Sequence, residues 1–104
     1  MRDYEKLWDT IITELYYKEE ELQTITGLWF KAYVENDRLI VNRSVEHSPS
    51  SNVTKPRSIT KNDFLMVYSY YDRWVNGEIG IRHEVSRKSR NTAYIFSLLK
   101  KFRT

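Results

Sequence analysis

Leu28-Trp29-Phe30-Lys31-Ala32-Tyr33-Val34-Glu35-Asn36-Asp37-Arg38-Leu39-Ile40-Val41-Asn42-Arg43 is the stretch on which the fold turns. From Leu28 the side chains alternate with a period of two: Leu28, Phe30, Ala32 and Val34 share one face, and Trp29, Lys31, Tyr33 and Glu35 share the other. Asn36-Asp37 supplies two residues that tolerate positive φ, and the β-prone run Arg38 to Arg43 follows. Two strands joined by a two-residue turn read as an antiparallel hairpin.

Upstream the period is helical. Tyr4, Leu7, Trp8, Ile11, Ile12 and Leu15 fall at i, i+3, i+4, i+7, i+8 and i+11, a stripe that one helix face buries. Asp3 is placed to cap this helix. The pattern predicts that it runs on through Tyr16, Tyr17 and the acidic Glu19-Glu20-Glu21, fading before Gly27 because carboxylates at a helix C-terminus oppose its dipole.

Downstream of the hairpin, residues 44–58 carry both prolines and no periodicity, and read as a long mobile surface loop. Thr60-Lys61-Asn62-Asp63 resembles a capping box with Asp in place of Glu. Behind it Phe64, Val67, Tyr68, Tyr71, Trp74 and Val75 repeat at helical spacing up to Asn76-Gly77. Ile79, Ile81, His83 and Val85 alternate and suggest a third short strand. After the polar run Ser86 to Thr92, the residues Ile95, Leu98, Leu99 and Phe102 define a last helix.

The expected fold is therefore α+β, one domain over residues 1–104 in the order α-β-β-α-(β)-α, with helices packed on a short antiparallel sheet. Trp8, Ile11, Phe30, Leu39, Val41, Phe64, Val67, Ile95 and Leu98 should be its core. With no cysteine there is no disulfide framework and no thiolate zinc site. No apolar run approaches spanning length and the first residues lack a leader's apolar core, so a cytoplasmic protein with no membrane partner is expected.

The residue types that carry catalysis are sparse. The (Asp/Glu)-x-Lys tripeptide of metal-dependent nuclease sites is absent. Two histidines, His47 and His83, do not make a triad or a His-rich metal site. Three glycines, Gly27, Gly77 and Gly80, are too few for a phosphate-cradling loop. The expectation is a non-enzymatic protein with no cofactor.

Charge is more telling. Residues 1–40 carry five Lys/Arg against nine Asp/Glu, residues 41–81 five against four, and residues 82–104 seven against one. One basic end suits an anionic partner. Arg87, Lys88 and Arg90 precede a helix start, where cations and unpaired amides can converge on one phosphate. Asn91 can add a hydrogen bond, and Lys100 and Lys101 extend the charge to the helix's far end. A plainer account, capping by Ser89 or Asn91 with lysines complementing the C-terminus, explains much of this pattern. Arg87, Lys88 and Arg90 are the residues it explains least.

A helix-turn-helix is not expected, since the helix ending near Asn76 and the one starting near Asn91 are too far apart in sequence. The expected partner is nucleic acid, contacted at phosphate by the basic C-terminal third. The alternative is a protein partner or a homodimer formed through the aromatic strand face of Trp29 and Tyr33.

Overall fold

The computed structural model describes residues 4–51, 53 and 55–103. Its elements run α1 (Tyr4–Tyr17), β1 (Glu20–Gln23), β2 (Trp29–Glu35), β3 (Arg38–Arg43), β4 (Arg57–Ile59), α2 (Lys61–Val75), α3 (Ile81–Ser86) and α4 (Thr92–Phe102). The four strands form an antiparallel meander in the order β1-β2-β3-β4. This is an α+β fold, with a Cα radius of gyration of 13.0 Å.

The hairpin forms in the anticipated register. Glu35 pairs with Arg38, and Asn36 and Asp37 take φ of 54° and 63°, the left-handed pair that a two-residue turn between right-twisted strands requires. Phe30, Ala32, Leu39 and Val41 are fully buried on one face of the sheet. α1 packs on β2 and β3, α4 on β1, and α2 on both α1 and α4. All nine anticipated core residues belong to one cluster; eight are buried, and Trp8 is half-buried with its ring 5.2 Å from Phe64. Asp3 and the side chain of Tyr4 lie outside what is described.

Three elements differ from the sequence reading. α1 stops at Tyr17, and Glu20–Gln23 is strand β1 rather than the end of a helix. Helix here would stack three carboxylates on its own negative pole. As a strand the segment places Leu22 opposite Phe30 in the core and leaves Gln23 exposed. Second, the end of the 44–58 segment is β4, which inserts Ile59 beside Leu39. Third, the anticipated strand at Ile79 to Val85 is helix α3. Ile81 and Val85, four apart, share its buried face, while Ile79 is 97% exposed and His83 is also exposed.

α2 begins and ends as expected. Thr60 Oγ1 accepts from the Asp63 amide, and Asn76 and Gly77 (φ 84°) close the helix. α4 is the central helix: Thr92 and the unbroken run Tyr94 to Leu99 are all buried. The spacing that spoke against a helix-turn-helix does not hold, since α3 follows α2 after residues 76–80, but the burial of α4 argues against α4 as a groove-reading helix. α3 does lie between α2 and α4, but α4 has no free face to enter a groove.

Candidate functional site

The turn from α3 to α4 is fastened from beneath. The Ser89 amide donates to the Val85 carbonyl (3.0 Å), the Asn91 amide to Ser89 Oγ (3.0 Å), and the Thr92 hydroxyl to the Ser89 carbonyl (2.8 Å). Arg57 on β4 donates from Nη1 to the Arg90 carbonyl (3.2 Å), and Asn91 Nδ2 donates to Asp63 Oδ2 (3.0 Å). Ser89, Asn91 and Thr92 are buried as a result, and Arg87, Lys88 and Arg90 are exposed. Buried hydroxyl and amide groups thus anchor the backbone from which the three exposed cations project.

These cations border an open cleft of about 500 Å³ with Ser58, Thr60 and Asp63 on one wall and residues Ser86 to Asn91 on the other. Lys88 directs its ammonium at Tyr70 on α2, outside the cleft lining. Its Nζ donates to the Tyr70 hydroxyl at 2.8 Å and lies 5.3 Å from the centre of that ring, and the hydrogen bond raises its pKa above the ordinary lysine value. Arg87 and Arg90 form no ion pair among the described residues. Asp63 is the only carboxylate in the lining, and one of its oxygens is taken by Asn91.

Of the site residues anticipated from sequence, the cleft gathers Arg87, Lys88, Arg90 and Asn91. Asn91 is buried, its side chain turned to Asp63 rather than capping α4, so it positions the wall. Lys100 and Lys101 stand at the far end of α4, about 14 Å away at roughly 1.5 Å per residue. Lys101 lies 3.7 Å from Glu20 and 5.9 Å from the Phe102 ring, while Lys100 borders a groove with Tyr71, Val75 and Arg103.

Sequence reasoning missed Ser58, Thr60 and Asp63 as wall residues, and Arg57 as a donor to the Arg90 carbonyl, because they reach the turn only through the pairing of β4. Tyr70 was legible only as a residue off the helix stripe.

Trp29 and Tyr33 lie on the sheet face turned away from Phe30. Trp29 is covered by the His47 imidazole, stacked at 4.0 Å and 17°. Tyr33 is half-buried, with Lys31 Nζ 5.8 Å from its ring centre.

His47 has the carboxylate partner that sequence reading did not supply: its Nδ1 is 3.2 Å from Glu21 Oε1. Ser44 Oγ donates to that same oxygen and accepts from the amides of Glu46 and His47. The hydroxyl is therefore spent on the carboxylate instead of facing the imidazole, and the group fastens the start of the 44–51 segment to β1. Trp29 N donates to the Pro49 carbonyl and Ser51 N to the Trp29 carbonyl, which pins its end to β2. Among the described residues no three His, Asp or Glu side chains gather as a metal site, and no helix is long and apolar enough to cross a membrane.

No protein-family model, curated protein or solved structure matches the chain.

Proposed function

We propose that the chain is a binding module, without chemistry of its own, that holds nucleic-acid phosphates at the cleft beside the α3–α4 turn. The observation that carries this reading is the state of the three cations. Arg87 and Arg90 are exposed and lack carboxylate partners among the described residues, and Lys88, next to Arg87 in the chain and also exposed, has a hydroxyl rather than a carboxylate as its hydrogen-bond partner. The turn anchors the backbone from which Arg87 and Arg90 project, and a guanidinium fork matches phosphate oxygens in pairs. Asp63 opposes an anion, but it is tethered to Asn91 and outnumbered by the three cations on the other wall. The test is titration of labelled duplex and single strands at two salt concentrations, since phosphate binding weakens steeply with salt through counterion release.

A second reading, association with a protein or with another copy of the chain, draws on Tyr33 and Ile40, half-buried and directly opposite on the sheet face that turns away from the Phe30 core. The stacking of His47 on Trp29 removes the larger ring from such an interface. Self-association seen by sedimentation and insensitive to salt would favour this reading over phosphate binding.

A further inference from the structure

Tyr33 on β2 pairs with Ile40 on β3, and Ile40 pairs with Ser58 on β4. Directly opposed residues of antiparallel strands project to the same side, so the three form one row on the face away from the core. Adjacent strands lie about 4.8 Å apart, which makes the row roughly 10 Å long. Ser58 at its end also lines the basic cleft. The aromatic face and the cleft are thus one surface, meeting at β4.

We infer that this sheet face receives the bases of a single-stranded nucleic acid whose phosphates sit at Arg87, Lys88 and Arg90, with one base stacked on Tyr33. The inference rests on the phosphate reading above and adds the strandedness of the ligand. A flat ring offers a π-face to any base; Lys31 Nζ lies over the Tyr33 ring, 5.8 Å from its centre, so an incoming base takes the place of that cation, which is then free to meet a phosphate. In a duplex the base faces are already covered by their neighbours, so the platform selects an unpaired strand. About 13 Å along β2, at roughly 3.3 Å per residue, the Trp29–His47 stack presents a second ring, with the His47 side chain 41% exposed. A protein partner fits this face less well. One tyrosine and one isoleucine, interrupted by Lys31 and Asn42, fall far short of the roughly 800 Å² per partner of a stable interface.

The experiment compares a labelled oligonucleotide of about 16 nucleotides, as single-stranded DNA and RNA, with its duplex. Tyr33→Ala should weaken single-strand binding by about 5- to 150-fold and leave duplex binding unchanged, while Tyr33→Phe keeps both. In the wild-type protein the Tyr33 ring proton resonances should move upfield on addition of the single strand and stay in place with the duplex. This measurement does not depend on a variant folding. Unmoved resonances, or a Tyr33→Ala effect that is absent or equal on the two forms, would overturn the stacking inference. If the Arg87→Gln, Lys88→Gln, Arg90→Gln triple variant then lowers binding to both forms, the phosphate reading stands alone. If the wild type binds neither form at low salt, both fall.

Discussion

Phe30 has no exposed surface and meets the Tyr94 ring edge-on, 4.9 Å between centres, so its side chain joins the sheet to the central helix. Replacing it with Ala removes the buried ring and leaves a cavity that rigid neighbours on both layers cannot close. Chemical denaturation of Phe30→Ala should show a loss of about 3–5 kcal/mol. Phe30 was legible because its neighbours Leu28, Ala32 and Val34 repeat its period. Leu22 was not. It is the only buried residue of β1 and sits next to three glutamates, so no window of sequence contains a strand pattern. At α3 the sequence offered too much: Ile79, Ile81, His83 and Val85 alternate, and only tertiary packing reveals that Ile81 and Val85 are buried while Ile79 is not. Two apolar residues four apart satisfy both periods.

Elements were readable where their ends carry local chemistry. α2 has a capping hydroxyl at Thr60 and a glycine beyond Asn76, and both act as read. Thr60→Ala should therefore cost about 1 kcal/mol by leaving the Asp63 amide without its acceptor, and a thermal melt would register it. β4 has no such signature; it follows Pro56 and is defined by partners on β3. The candidate site divides along the same line. Arg87, Lys88 and Arg90 could be picked out because capping and dipole chemistry explain them least. Their opposing wall could not, because Asp63 meets Asn91 across 28 positions of chain and only the β4–α2 junction brings it there.

Over the whole molecule, folding redistributes the charge that the sequence displays. Two cations of the basic C-terminal third are neutralised from elsewhere, Lys101 by Glu20 and Arg103 by Asp72, which also seats the Arg103 guanidinium 5.5 Å from the Tyr71 ring. Of the five that remain, Arg82 is on α3 and Lys100 at the far end of α4, while Arg87, Lys88 and Arg90 cluster at the α3–α4 turn, and this cluster, more than the net charge of +3, is the basis for a phosphate partner. The central claim is tested most directly by the salt dependence of duplex DNA binding for the wild type and for the protein with Arg87, Lys88 and Arg90 all changed to Gln. Exposed substitutions usually shift stability by about 0.5 kcal/mol or less each, and the Lys88 change also removes its hydrogen bond to Tyr70, losses small enough that the fold should persist. The slope of log K against log salt should shrink by about 0.9 for each phosphate that the variant no longer neutralises, with similar reductions on unrelated sequences. A wild-type protein that shows no salt-sensitive binding, or a triple variant whose slope equals that of the wild type, would contradict it.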